Sequence, residues 1–284
     1  MSLPEDFAVL ILTHKRPDRV FTYKSLRDYG YTGRIFLLVD DEDPTLAEYE
    51  QRFPGEVVVF SKREAAVLTD SRINSGDQRS VLFARNAAHK AASSLGLRYF
   101  LELDDDYTAW YHRVLGDGSY TTGVAIDRLD DVFAAMLVLL RTTPATSVAL
   151  AQGGDIFGQD SKILHRASRK VMNSFFCSVD RPFKFEGLMN DDVNTYTALG
   201  MRGHLFLTVG AVHLNQMMTQ QNAGGLTDIY QSSGTYVKSF YTVLACPSST
   251  TVAALSGQKH TRFHHRISWR HQVPLILREE HRKA

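Results

Sequence analysis

The chain has 284 residues, 44% of them hydrophobic and 22% charged, with a net charge of +1. That is the make-up of an ordinary soluble globular protein, long enough for one large α/β domain or two small ones, and it excludes a polyanion binder that works by bulk charge. Two cysteines, Cys177 and Cys246, leave no disulfide framework and no zinc-ligand spacing, so a reducing compartment is expected. Acids precede the first apolar run, the reverse of a signal peptide, and no run approaches the ~18–20 apolar residues that span a bilayer. A cytoplasmic protein without a membrane partner is the expectation.

Residues 7–13, FAVLILT, form a continuous apolar run that predicts a strand buried on both faces. A helix over 18–29 follows, ended by Gly30 and Gly33. RIFLLVDD (34–41) and EVVVF (56–60) read as a second and a third strand. Residues 78–96 have helical spacing, with Val81, Ala84, Ala88 and Ala92 on one face and Gly96 as the stop, and RYFLELDDD (98–106) predicts a fourth strand. A helix is predicted over 127–143, capped by Asp127 and stopped by Pro144, then a strand over 146–154. Asn190 is placed to cap a short helix that Gly200 or Gly203 ends, HLFLTVGAVHL reads as a further strand, and 220–228 as a loop. Strands alternating with helices predict a mostly parallel sheet with helices on both sides. From Lys259 to the end, seven Lys or Arg face two Glu, a charge of +5 on the tail. The division expected is a catalytic domain over 1–257 and a basic segment over 258–284.

In open α/β sheets ligands bind beyond the carboxyl ends of the parallel strands. Three strands end there in polar groups: Thr13 to Arg16, Asp40 to Asp43, and Asp104 to Asp106. One acidic loop alone is most often a solvated turn; three beside the cations Arg16, Arg79 and Arg85 point to a site. If extended, Asp104 and Asp106 point to one side and Asp105 to the other, and two carboxylates on one side fit a hard divalent cation. Such a cation would relieve the repulsion of three adjacent acids and stabilise a departing diphosphate. Neither a GxxxxGK[ST] loop nor a GxGxxG fingerprint occurs, so phosphates would be held by metal and arginine.

The stretch ARNAAHKAASSLGLRYFLELDDD resembles the part of GT-A-fold glycosyltransferases in which an Arg-Asn helix precedes the strand carrying the Asp-X-Asp motif. NDDVNTYTALGMRGHLFLTVGAVHL resembles their later block, where an acidic pair opens a helix and a strand leads to a metal-binding His. More narrowly, VLILTHKRPDRVFTYKSLRDYGYTGRIFLLVDDED resembles the opening of the TET-associated glycosyltransferases, phage enzymes of 5-hydroxymethylpyrimidine DNA. The resemblance implies a Rossmann-like GT-A sheet in one large domain and a metal-dependent enzyme using a UDP-sugar. It places Thr13, His14, Arg16 and Asp40 around the nucleotide, Asp40 accepting from the uracil N–H. Arg79, Arg85 and Asn86 would lie near the nucleotide and diphosphate, with Asp104 and Asp105 also on the donor. Asp104, Asp106 and His213 would hold Mn²⁺ or Mg²⁺. Of the acidic pair Asp191-Asp192, which departs from the usual Glu-Asp, Asp192 would be the general base, a role that implies inversion at the sugar C1.

A DNA acceptor needs phosphate contacts, and the tail interleaves Lys259, Arg262, Arg266 and Arg270 with Phe263 and Trp269, a mix that suits backbone contact plus stacking. A solvated basic tail reads equally well. Two other functions compete: a glycosyltransferase acting on a polysaccharide or protein, and a nonenzymatic DNA-binding protein, which would need neither Asp106 nor Asp192. The sugar, the modified base and the oligomeric state are not readable from the residues.

Overall fold

The computed structural model describes residues 2–71, 81–152, 170–172, 174–217, 227–256 and 261–272. Arg79, Lys259 and most of the loop expected over 220–228 lie outside them. In chain order the elements are β1 (Phe7–Leu12), α1 (Phe21–Asp28), β2 (Arg34–Asp40), α2 (Leu46–Arg52), β3 (Val57–Phe60) and α3 (Lys62–Val67). Then come α4 (Leu82–Ser94), β4 (Tyr99–Asp104), β5 (Tyr107–Val114), β6 (Tyr120–Ala125), α5 (Leu129–Thr142), β7 (Ala145–Gln152) and β8 (Ser174–Ser178). The chain continues with α6 (Asp191–Met201), β9 (Leu205–Gln216), α7 (Thr227–Ala245), β10 (Thr250–Ser256) and β11 (Thr261–Ile267).

Among the described residues a nine-stranded sheet runs in the order β3-β2-β1-β4-β8-β7-β9-β5-β6. The first four strands are mutually parallel. β8 opposes β4 and β7, and β5 opposes β9 and β6, so the other strands share one direction. The order β3-β2-β1-β4 is that of one half of a doubly wound sheet, whose crevice opens beside β1 where the strand order reverses. The continuous apolar runs have a simple cause. Val9, Ile11, Leu101 and Leu103 face one core with Trp110 and Phe133, while Leu10, Leu12 and Phe100 face a second with Ala88, Ala92 and Tyr196. Each fully buried Leu or Phe contributes about 1.5–3 kcal/mol, so β1 alone is a large part of the cohesion of both layers.

Several boundaries differ from expectation. α4 is shorter than 78–96 among the described residues, and Gly96 stops it with φ of +69°, a conformation that suits glycine. α5 starts at Leu129 with Arg128 at the N-cap, and the Asp127 side chain makes no cap; Asp130 instead accepts from Thr32 N and Oγ1 at 2.9 and 2.6 Å. Asn190 stands at the N-cap of α6 in left-handed conformation, but its amide donates to Lys238 O and Thr242 Oγ1 on α7 rather than capping. α7 and the β10–β11 hairpin are not anticipated by local pattern. The Ser, Thr, Tyr and Val of 227–245 are middling helix formers, and packing on α6, β10 and β11 decides the helix. The boundary expected at 257/258 falls inside this hairpin, since Thr250 pairs with Ile267 and Ser256 with Thr261. Gln272 Nε2 donates to Tyr196 O at 2.6 Å and Trp269 stacks on Tyr196 at 6.0 Å, which fastens the start of the basic segment to α6. No helix among the described residues is long and apolar enough to cross a membrane.

Candidate active site

The polar ends of β1, β2 and β4 meet beside the crevice. α1 holds the turn after β4: Thr22 Oγ1 donates to Asp104 O at 2.6 Å, Thr22 N to Asp105 O at 3.1 Å, and Tyr107 N to Thr22 Oγ1 at 2.9 Å. The backbone carrying the carboxylates is therefore tied to the start of α1. Asp105 turns to the β1 side, where Thr13 Oγ1 donates to its Oδ2 at 2.7 Å and Arg16 stands 3.5 Å from Oδ1. Burial raises the pKa of Asp105, against the lowering by Arg16 and Thr13. Tyr49 OH joins the same cluster, 2.8 Å from Thr13 Oγ1 and accepting from Arg16 N at 2.9 Å. Tyr49 carried no signal in the sequence, because it reaches the site only through the packing of α2.

At the end of β2, His14 Nδ1 lies 2.7 Å from Asp40 Oδ2 and 3.2 Å from Asp43 Oδ2, with Lys62 Nζ 3.6 Å from Asp40 Oδ1. Burial opposes the charge of Asp40, but the His14 hydrogen bond and charge, and then Lys62, outweigh it and leave its pKa below the ordinary value. Donor atoms of His14, Asp40 and Asp43 lie within 4.8 Å of one another, an arrangement a metal could use. Here the partners are already internal: Lys15 N donates to Asp43 Oδ2 at 2.7 Å, and Lys62 offsets the negative charge.

Arg85 joins the acidic end of β4 to the acidic start of α6. It is almost wholly buried, on the α4 face that also carries Ala88 and Ala92, whose small side chains let the helix approach the sheet. Its Nη1 donates to Glu102 Oε1 at 2.7 Å and its Nη2 to Asp104 Oδ1 at 2.9 Å. Its Nε stands 2.7 Å from Asp191 Oδ2, a close ion pair without hydrogen-bond alignment. Phe175 and Phe185 stack against the guanidinium at 5.2 and 5.5 Å. Burial disfavours its charge, but Asp104, Asp191 and Glu102 outweigh that and raise its pKa. Glu102, absent from the expected site, shares the strand parity of Asp104; that alternation was the one signal for it. Burial lifts Glu102 to about 8 despite Arg85.

Asp191 and Asp192 are both buried at the first turn of α6. Burial raises both; for Asp192 the Asp191 charge adds to it, Arg85 opposes it, and the result is about 6. Asp106 is pushed to about 7 by burial and then by the negative charges of Asp104 and Asp105. Crowded carboxylates of this kind fit a hard cation, whose charge would offset all three. Gln216 Nε2 meets both Asp106 oxygens at 3.0 and 3.1 Å. His213 sits three residues back on β9, about 10 Å along the strand, stacked on Tyr111 at 5.3 Å. Burial and Arg113 lower its pKa to about 4, so its imidazole is neutral, as a metal ligand must be, but the described contacts do not bring it to Asp106.

Asn86 is engaged elsewhere, donating to Thr69 Oγ1 and Phe185 O and accepting from Phe185 N, so it fastens the segment that leads to α6. Arg262, Arg266, Arg270 and Trp269 lie on or just after the hairpin, with the three arginines exposed. Of the expected donor and base residues that are described, all but Asn86 fall in three clusters at the ends of β1, β2 and β4 and the start of α6, and Arg262, Arg266, Trp269 and Arg270 lie on or just after the hairpin.

Residues 7–225 match the family described as TET-Associated Glycosyltransferase. A search of proteins with curated functions gives no match. Among solved structures, glucosyl-3-phosphoglycerate synthase from Mycobacterium tuberculosis, in complex with Mn²⁺, UDP and phosphoglyceric acid, is 12% identical with a TM-score of 0.45, over 95% of this chain and 88% of that one. Mannosyl-3-phosphoglycerate synthase from Rubrobacter xylanophilus is 11% identical with a TM-score of 0.43, over 92% and 86%. With the family matched over most of its length and the acidic clusters in place, the chain belongs to the TET-associated glycosyltransferases.

Proposed function

We propose that this glycosyltransferase moves a sugar from a UDP-sugar to the hydroxymethyl oxygen of 5-hydroxymethylcytosine, or a related base, in DNA. The observation that carries the reading is the buried Arg85, which pairs with Asp104 at the end of β4 and with Asp191, the neighbour of Asp192, at the start of α6. The family's description as TET-associated, together with the resemblance of the opening stretch to enzymes of 5-hydroxymethylpyrimidine DNA, supports the acceptor. The work would be done in the cytoplasm, that of the host if a phage encodes the chain.

In this reading Asp192 takes the proton of the acceptor hydroxyl as that oxygen attacks C1 of the sugar. The new C1–O bond forms, the bond from C1 to the diphosphate oxygen breaks, and UDP leaves with inversion. A base with a pKa near 6 is ionised at neutral pH yet basic enough to accept a proton in the transition state. Thr13, His14, Arg16 and Asp40 serve the nucleotide end, and Asp105 keeps Thr13 and Arg16 in place; Arg79, outside the described residues, would serve the diphosphate. Asn86 secures the segment before α6, and Asp104 contacts ribose or sugar hydroxyls. Asp104 and Asp106 would hold Mn²⁺ or Mg²⁺, which neutralises charge on the leaving diphosphate. His213 joins that set only if β9 shifts its ring from Tyr111. Lys259, Arg262, Arg266, Trp269 and Arg270 would serve the DNA.

The test is transfer from a panel of labelled UDP-sugars, with Mn²⁺ or with chelator, onto DNA containing 5-hydroxymethylcytosine or plain cytosine. Label on the hydroxymethylated DNA alone, and only with metal, is the expected result. Metal-dependent hydrolysis of a UDP-sugar with no DNA labelled would favour a polysaccharide or protein acceptor instead.

A further inference from the structure

No Asp or Glu occurs between Asp228 and Glu279, a stretch that holds Lys238, Lys259, Arg262, Arg266, Arg270 and Arg278. In a chain of net charge +1 this is a marked segregation, and it covers nearly all of α7 and the whole β10–β11 hairpin. The same unit exposes large rings. Tyr236 is 58% exposed, Phe240 39% and Phe263 47%, with Leu244 exposed beyond them. Residues 236, 240 and 244 stand four apart and so form one stripe along α7. Tyr236 packs on Phe240 at 4.8 Å and meets the edge of Phe263 from β11 at 6.0 Å, so the three rings make one continuous surface. The opposite face of α7 is buried and holds the start of α6, through Asn190 on Lys238 O and Thr242 Oγ1.

An apolar surface set in a cationic unit whose one acid is Asp228, at the start of α7, is matched by a ligand that is both flat-faced and polyanionic. We propose that it is a track for unpaired nucleotides of the acceptor. Tyr236, Phe240 and Phe263 stack bases, and Arg262 and Arg266 hold phosphates. This rests on the DNA-acceptor reading and adds the strandedness of the substrate. The register gives the reason. Arg262 and Arg266 alternate with Phe263 along β11, so they leave the hairpin on the side away from the α7 rings. A strand touching rings and cations together must pass round an edge of the β10–β11 ribbon, which pairs with no further strand among the described residues. A single strand bends that tightly, whereas a duplex is stiff over about 150 base pairs and keeps its bases inside the stack. Trp269 is not part of the track, because it lies against Tyr196.

The test is fluorescence anisotropy with the full chain and short labelled oligonucleotides containing 5-hydroxymethylcytosine, single-stranded or fully paired, over a salt series. The variants are Tyr236→Ala, Phe240→Ala and Phe263→Ala, and separately Arg262→Gln and Arg266→Gln. Because these side chains are exposed, thermal melts serve only to check the fold. Expected are tighter binding to the single strand, a loss of about tenfold per ring with the salt slope kept, and a slope shallower by about 0.7 for each arginine. Ring variants that bind the single strand like wild type, or a wild type that prefers duplex, would overturn the track while leaving a DNA acceptor standing. Ring variants that turn a dimer into a monomer on sedimentation, or that lose binding to anionic vesicles, would assign the surface to a second copy or to a membrane. Sugar transfer to another acceptor without binding to DNA in any form would remove the acceptor reading itself.

Discussion

With Glu102 at 2.7 Å, Asp104 at 2.9 Å and Asp191 at 2.7 Å, the buried Arg85 guanidinium faces three carboxylates, of which Glu102 is wholly buried and Asp104 and Asp191 are partly open to water. Arg85→Ala leaves those charges uncompensated, and a loss of about 3–5 kcal/mol in urea unfolding is expected. Asp192→Asn tests a different property. It should lower kcat by about 10²–10⁴-fold while UDP still binds by calorimetry. In the wild type, transfer should fall as pH drops below about 6, because the base is then protonated. His89, away from the site, is held neutral by burial with a pKa of about 4, its ring set edge-on to Phe100 and Phe183 and both nitrogens without a hydrogen bond among the described residues. Its pKa is lowered on folding, so its penalty is absent above the unfolded value of 6.5 and grows as pH falls toward 4, to a limit of about 3 kcal/mol. His89→Leu should therefore raise Tm by more the further pH falls from 6.5 toward 4, as a pH series of thermal melts would show.

At the scale of elements, the approach to α6 depends on one glycine. Gly187 has φ of +88°, and a Cβ there would lie 2.5 Å from Asn194 Nδ2 and 2.8 Å from the Tyr241 ring. Asn194 in turn donates to Met189 O at 2.9 Å, so displacing it loosens the turn that delivers the acidic pair. Gly187→Ala should cost about 1–3 kcal/mol of stability and reduce kcat more than the KM for the donor, as steady-state kinetics would show. Continuous apolar runs such as Phe7–Leu12 were legible beforehand as short buried strands. β8, though buried throughout, was not, nor were α2, α3, β5, β6, α7 and the hairpin. α7 carries exposed rings on the outside and buries Ser239 and Thr242 beside Tyr241 within, so it lacks the clean apolar stripe of the usual amphipathic helix.

For the whole molecule, charge separation matters more than the net +1, since the cations of the hairpin lie on one unit and the carboxylates of β4 and α6 on another. Charge reversal at Arg262, Arg266 and Arg270 together should weaken DNA binding and flatten its dependence on salt by up to about 0.9 for each phosphate no longer neutralised, read from filter binding at several ionic strengths. The residues alone determined that three strands end in polar groups at one edge of a sheet, that an Arg-Asn helix precedes the acids and that an acidic pair opens a later helix. These follow from periodicity and strand direction, which are local. Tertiary structure alone decided that Arg85 is buried among Glu102, Asp104 and Asp191, that Gln216 holds Asp106, and that Asn86 serves a loop. Each of those partners lies on a different element, and a buried charge takes whichever counter-charge the packing brings within about 3 Å, which no local pattern encodes.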